Sequence, residues 1–159
     1  TAQMSQGLMY RYFESKSAIV LAIVGRQLQE GRAHVAELHS SADLAAGIID
    51  TYTKWQERDP SVFSAALLLE MSAEATRDPK IAAALSDSDR RIFADLQSWM
   101  VRGRDEDGLG LPADVAARRV LLLEVFVHGL AVIAARQPER DPAPLHAIID
   151  TFVSRLLAP

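Results

Sequence analysis

Residues 4–19 read MSQGLMYRYFESKSAI, and the interpretation of the whole chain starts from this stretch. Ser5 can cap a helix, because its hydroxyl accepts a hydrogen bond from a free backbone N–H group at a helix start. Met9 and Phe13 lie four residues apart and therefore share one face of such a helix. The stretch thus predicts a short helix over residues 5–12 that packs by an apolar face and exposes polar side chains.

The spacing Ser-x-Gly-x-x-Tyr-x-Tyr-Phe-x-Ser-Lys-x-x-Ile in this stretch resembles the end of the helix-turn-helix in the TetR/AcrR family of transcriptional repressors. The resemblance implies that residues 1–15 are the C-terminal part of a DNA-binding domain. Residues 5–12 would be its recognition helix, lying in the major groove, and one and a half further helices would precede Thr1. The DNA contacts expected on this basis come from Ser5, Gln6, Leu8, Tyr10, Arg11, Tyr12 and Lys16.

The stretch departs from the family pattern at two positions. Gln3 stands where the family usually has Gly, and Leu8 stands where it has a small polar residue. A leucine can contact a thymine methyl group but forms no hydrogen bond with a base edge. We therefore expect Gln6 and Leu8 to influence which DNA sequence is preferred, and Lys16 to bind phosphate without reading sequence.

Length and composition limit the class of protein. A chain of 159 residues with 49% hydrophobic content can bury the core of one domain. It contains no cysteine, which excludes disulfides and thiolate metal sites and is compatible with a reducing cytoplasm. The most apolar run, residues 120–133, contains Glu124 and His128 and is shorter than the ~20 residues that span a bilayer. We expect a cytoplasmic protein without a membrane segment.

Charge is distributed unevenly along the chain. The formal net charge is −4, but residues 1–32 carry four basic and two acidic side chains, whereas the remainder carries 13 basic and 19 acidic ones. The positive end is the end that holds the recognition-helix motif, as binding to phosphate requires.

Apolar residues recur at helical spacing throughout the chain, and no alternating strand pattern is present, so the sequence predicts an all-α fold. Paired start signals, Asp59-Pro60 and Asp78-Pro79, each place an N-cap before a proline at the first helical position. The predicted helices run over residues 16–39, 42–58, 60–76, 79–102, 112–136 and 145–157. By resemblance, residues 16–39 form a connecting helix and residues 40–159 a ligand-binding and dimerisation domain.

The TetR family surrounds a ligand cavity with successive helices, and this chain carries large apolar side chains on the matching ones. Aromatic and flexible side chains suit an adaptable apolar pocket. The predicted ligand-binding residues are Trp55, Phe63, Leu67, Met71, Phe93, Trp99, Met100 and Phe126. The alternative for each of them is an ordinary place in the hydrophobic core.

The last two helices carry more apolar surface than one subunit can bury, since residues 120–133 are apolar on both faces. In the TetR family these helices form a four-helix bundle across a two-fold axis, so a homodimer is expected. The predicted interface residues are Leu123, Val127, Leu130, Ile149, Phe152 and Leu156. The alternative is a monomer in which this helix is a core helix.

Motifs for enzymatic chemistry are absent from the sequence. Glu124 and His128 are four residues apart, but a metal site needs three or four ligands, so a hydrogen-bonded pair is the better interpretation. His34, Glu37 and His39 are out of helical register with one another and are interpreted as solvated surface. With no nucleophile elbow, phosphate-binding glycine loop or H-E-x-x-H, we expect no catalytic residues, no metal and no cofactor.

The sequence therefore predicts a ligand-responsive repressor of the TetR type. Such a protein binds a palindromic double-stranded operator as a homodimer and leaves it when a small-molecule inducer binds the C-terminal domain. The alternative from a different class is an all-helical small-molecule-binding or scaffold module that does not bind DNA.

Overall fold

The computed structural model describes residues 16–158, with side chains from Ser17 onward. These residues contain a 3-10 turn at Arg104–Glu106 and no strand, which confirms the all-α prediction. The helices are α1 (Lys16–Ala36), α2 (Ser41–Glu57), α3 (Ala65–Ala75), α4 (Pro79–Val101), α5 (Ala113–Arg136) and α6 (Ala143–Leu156). The predicted recognition helix and its DNA-contacting side chains, including that of Lys16, lie outside the described residues.

Two helix starts follow directly from the sequence. The Ser40 hydroxyl accepts a hydrogen bond from the Asp43 N–H at 3.2 Å and so caps α2. The Asp78 carboxylate accepts one from the Lys80 N–H at 2.9 Å, and Pro79 occupies the first helical position of α4. A side-chain acceptor thus fixes the beginning of each helix.

The predicted helix start at Asp59-Pro60 is wrong, because α3 begins only at Ala65. The Asp59 carboxylate accepts a hydrogen bond from the Ser61 N–H at 2.7 Å, which makes a local turn rather than a cap. The indole N–H of Trp55 donates to the Phe63 carbonyl at 2.7 Å and occupies an acceptor that a longer helix would need. Two further bounds also shift, since α1 ends at residue 36 rather than 39 and α6 begins at 143 rather than 145.

Helix α5 lies at the centre of the domain and packs against α2, α3 and α4, while α6 packs against α2. The main core forms around these contacts and includes the fully buried Tyr52, Trp99, Met100, Ile149 and Val153. A second, smaller core joins α1 to α3 and α4 and contains Val20, Val24, Met71 and Ile81. Burial of each large apolar side chain stabilises the fold by about 1.5–3 kcal/mol relative to exposure.

Helix α1 is held against α4 along its whole length. At its start the Ser17 hydroxyl donates to the Asp78 carboxylate at 2.9 Å. Near its end Arg32 Nε bonds to the Asp95 carboxylate at 2.6 Å. Between them the helices approach so closely that a Cβ placed on Gly31 would lie 2.6 Å from the Ile92 side chain. A displacement of α1 must therefore also displace α4.

The outer side of α5 and α6 carries an exposed apolar face, which we call the outer face. It comprises the exposed Leu121, Leu122, Val125 and Ile148, and the half-buried Phe126 and Phe152. The rings of the last two stack at 4.2 Å and so join the two helices. No helix in the described part of the chain is long and apolar enough to cross a membrane.

Candidate functional site

A cavity of about 540 Å³ lies between α1, α2, α4 and α5. Its size falls within the range of small-molecule sites. Much of the wall is apolar and comes from α1, α2, α4 and α5, from Leu68 on α3 and from the segment after α1; these side chains are Val35, Leu38, Leu44, Ile48, Trp55, Leu68, Ile92, Phe93, Leu96, Leu123 and Val127. This cavity is the part of the domain that can enclose an organic molecule.

Two of the eight predicted ligand-binding residues, Trp55 and Phe93, line this cavity. Trp55 is fixed there by its hydrogen bond to the Phe63 carbonyl. Because that bond occupies the indole N–H, Trp55 offers the cavity its ring rather than a hydrogen-bond donor.

The other six predicted residues lie outside the wall of this cavity. Trp99 and Met100 are completely buried in the main core, and the Trp99 indole donates to the Asp107 carbonyl at 3.0 Å. Met71 is buried in the second core, where Leu67 and Phe63 pack against it, and Phe63 also contacts the main core. Phe126 stacks on a ring of α6. These side chains stabilise the helix packing around the cavity.

Several polar residues that the sequence did not identify as a site border the cavity. His34, Glu37 and His39 had been interpreted as solvated surface, yet all three lie along its edge. Gln27 on α1 and Asp89 on α4 also line the cavity. Their only signal in the sequence is a polar residue on an otherwise inward-facing stripe, and many solvated residues produce the same signal.

Asp89 occupies an unfavourable place for a carboxylate. Burial raises its pKa, the nearby Glu124 raises it further, and His128 acts in the opposite direction. No described residue forms a hydrogen bond or an ion pair with the Asp89 carboxylate. By contrast, hydrogen bonding from Ser40 and from the His39 N–H lowers the pKa of Asp43 at the cavity edge. A hydrogen-bond donor or a positive charge placed beside Asp89 would therefore stabilise the ionised form of its carboxylate.

The geometry of His128 determines which ring nitrogen is free. His128 Nδ1 lies 2.8 Å from the backbone carbonyl of Glu124. A carbonyl only accepts hydrogen bonds, so Nδ1 carries the hydrogen and Nε2 of the neutral ring is an acceptor. The predicted pairing of these two residues thus uses the Glu124 backbone rather than its carboxylate. Within residues 16–158, no three His, Asp or Glu side chains are grouped as metal ligands.

An open groove runs along the outside of α4 and α5 next to the cavity. It is lined by Ser86, Gln97 and Glu124 among others. Asp89 and Phe93 border both this groove and the cavity. These two side chains are therefore the boundary between the cavity and solvent on this side.

Three of the residues predicted for the dimer interface lie in the core of the subunit. Leu123, Leu130 and Ile149 are fully buried inside the subunit and face other helices of the same chain. Val127 lines the cavity. Only Phe152 and Leu156 of the predicted set reach the surface, where they are half-buried. The apolar residues available to a second copy are instead those of the outer face.

Most of this domain matches a known protein family. Residues 41–158, from the start of α2 to the end of the described chain, match the family described as "BetI-type transcriptional repressor, C-terminal". The searches of curated proteins and of solved structures gave no match. The matched residues include α2 to α6 and every helix that borders the cavity except α1. The chain therefore belongs to the TetR family of transcriptional regulators, with a C-terminal domain of the BetI type.

Proposed function

We propose that the complete protein is a DNA-binding repressor whose operator affinity falls when a small molecule occupies the cavity between α1, α2, α4 and α5. Residues 1–15 supply part of the helix-turn-helix, residues 16–39 the connection, and residues 40–159 the ligand-binding and dimerisation domain. The repressor acts in the cytoplasm on a palindromic double-stranded operator.

The observation that carries this proposal is the position of α1. Its C-terminal half forms one wall of the cavity through Gln27, His34 and Val35. Its first residue, Lys16, comes four residues after the predicted recognition helix of residues 5–12. A ligand that prefers one position of α1 will therefore change the position of the DNA-reading end. Coupling of about 1–3 kcal/mol is the usual scale for such an effect.

Dimerisation through the outer face supports the same function. An exposed apolar face on two neighbouring helices is typical of an interface, and Leu122, Val125 and Ile148 provide one here. A two-fold dimer presents two recognition helices at a separation fixed by the DNA half-sites. A shift of a few ångströms between them is enough to reduce operator affinity.

The test uses the complete protein and DNA selected by it from random duplexes. Hydrophobic and cationic small molecules are titrated while tryptophan fluorescence and operator anisotropy are followed together. We expect compounds that change the fluorescence of Trp55 to release the operator, whereas a Trp55→Phe variant isolates the signal of Trp99 as a control. If compounds occupy the cavity and none alters operator affinity, the proposal of a ligand-responsive repressor fails.

A scaffold or small-molecule-binding module without DNA binding is the alternative. It predicts that no duplex is enriched by selection and that binding to DNA lacks the steep salt dependence of phosphate contacts. Tyr10→Ala and Lys16→Ala distinguish the two functions, because in a repressor they weaken binding to every sequence.

A further inference from the structure

We propose that the ligand of the cavity is a protonated amine, with a primary or secondary ammonium group on an apolar body. The inference rests on the proposed function in one respect, namely that the cavity is a ligand site. It goes further by assigning the chemical class of the ligand and the residues that select it.

The polar groups that remain available in the cavity are hydrogen-bond acceptors. The side-chain oxygen of Gln27 is buried and accepts no hydrogen bond from any residue that the structure describes. In the neutral ring of His128, Nε2 is an acceptor because Nδ1 donates to the Glu124 carbonyl. The Asp89 carboxylate has no donor from the described part of the chain. A buried acceptor without a donor is costly, as for the Gln27 oxygen, and the half-buried Asp89 and His128 add two further acceptors; together they favour a ligand that brings N–H donors.

The charge of the lining favours a cation. Four carboxylates border the cavity, and neither Lys nor Arg is found among its described lining residues. Asp50 is neutralised by Lys54 at 2.6 Å, and Asp43 is held by the His39 N–H at 3.1 Å. No Lys or Arg of the described chain pairs with Asp89, whose pKa is raised by burial and lowered in part by the nearby His128. A cation beside it stabilises the ionised form and forms charge-assisted hydrogen bonds.

The remaining wall favours an apolar body on the amine. Leu44, Ile48, Leu96 and Leu123 surround the same space, and the Trp55 ring adds a flat surface. A polyamine or a small hydrophilic cation would leave these side chains uncovered. An alkyl or aryl amine would cover these side chains and place its nitrogen beside Asp89.

The position of Asp89 also suggests how the amine enters. Asp89 and Phe93 border both the cavity and the outer groove, and Glu124 adds a second carboxylate to the groove. Arg90 also lines the groove, but its guanidinium is paired with the Asp87 carboxylate. A cation that approaches along the groove therefore meets the two carboxylates before it reaches the cavity. Asp89 is the residue that we assign to selection of the ammonium group.

The test compares four probes that share one alkyl chain: octylamine, octyltrimethylammonium, 1-octanol and octanoate. Their affinities for the 159-residue chain are measured by calorimetry. We expect octylamine to bind at least about tenfold more tightly than each of the others, since charge-assisted hydrogen bonds exceed neutral ones in strength. Octyltrimethylammonium carries the charge without N–H donors and so isolates the hydrogen bonds.

Two variants test whether the preference for octylamine depends on Asp89. Asp89→Asn should lower the affinity for octylamine by about tenfold or more and leave the affinity for 1-octanol unchanged. The matched control is Asp150→Asn on α6, an exposed carboxylate away from the cavity, which should change neither affinity. Circular dichroism melting shows that each variant is folded.

Three results would overturn the inference. Equal affinity for octylamine and 1-octanol would remove the cationic class, and equal affinity for the trimethylated probe would remove the need for N–H donors. Unchanged octylamine binding in Asp89→Asn would remove the assigned residue. None of these concerns release of the operator, so each leaves the proposed repressor function to its own test.

Discussion

At the scale of single residues, Asp89 shows how a site can conflict with stability. Asp89 is half-buried, and a carboxylate that is partly withdrawn from water without a hydrogen-bond donor destabilises the folded chain. Neighbouring carboxylates avoid this cost, since Asp43 bonds to the chain ahead of α2 and Asp50 bonds to Lys54. A residue that is unfavourable for folding but borders a cavity is a functional candidate with a physical reason.

Asp89→Asn should raise the melting temperature at pH 7. Because burial raises the pKa of Asp89 above its usual value, its contribution to stability is complete below about pH 4 and is lost as the pH rises through the folded-state pKa. The advantage of the variant should therefore disappear on going from pH 7 to below about pH 4. Circular dichroism melts at both pH values check this, with Asp150→Asn as the control. A variant that melts lower than the wild type at pH 7 would contradict the role given to burial.

The two tryptophans illustrate what the sequence does and does not determine about a site. Trp55 and Trp99 both lie on inward-facing stripes, and both were predicted to contact a ligand. Trp55 lines the cavity, whereas Trp99 is buried and bonds to the loop at Asp107. Periodicity identifies the inward face of a helix, but whether that face meets a neighbour or a cavity depends on how the helices are arranged.

At the scale of helices, local sequence predicts a helix start well when no tertiary contact competes with the backbone hydrogen bonds of the first turn. Asp78-Pro79 and Asp59-Pro60 carry the same signal, yet only the first begins a helix. The Trp55 indole takes the Phe63 carbonyl, which is a tertiary contact that no local signal reveals. Tertiary structure here overrides a correct local preference.

The residues predicted for the dimer interface divide between core and surface for a related reason. Leu122 and Leu123 are neighbours in sequence and equally apolar, but the first is exposed and the second is buried. When both faces of α5 are apolar, hydrophobicity cannot tell which face meets the subunit's own core. The number of apolar faces was predictable from the sequence, and their assignment was not.

Gly31→Ala should perturb the link between α1 and the cavity. The added Cβ would lie 2.6 Å from Ile92, which is itself part of the cavity wall, so Ile92 must move. The matched control is Gly25→Ala on the same helix, where nothing lies within 4 Å of the added Cβ.

The control should stabilise the chain by roughly 0.5–1 kcal/mol through helix propensity and leave octylamine binding unchanged. Gly31→Ala should gain less stability and bind octylamine more weakly. Urea unfolding and calorimetry measure both effects. Identical behaviour of the two variants would show that the close approach of α1 to α4 has no influence on the cavity.

At the scale of the whole molecule, the outer face should hold two copies together. Val125 belongs to this face and is 66% exposed. Val125→Glu places a charge in the expected interface, where it would be buried without a partner. We expect this variant to be a folded monomer by light scattering while the wild type is a dimer. Val101→Glu is the matched control, because Val101 is 40% exposed on α4 and lies away from the outer face. A wild type that remains monomeric at micromolar concentration would exclude this assembly.

The central claim is that the cavity and the DNA-reading end share one equilibrium through α1. Thermodynamic linkage makes this reciprocal: if a ligand weakens operator binding by some factor, the operator weakens ligand binding by the same factor. The direct measurement is the affinity of the complete protein for octylamine, determined by calorimetry with and without saturating operator. We predict that the operator lowers this affinity by about 5- to 150-fold, the usual range of such coupling. Equal affinities in the two states would contradict the claim, whatever the identity of the ligand in the cell.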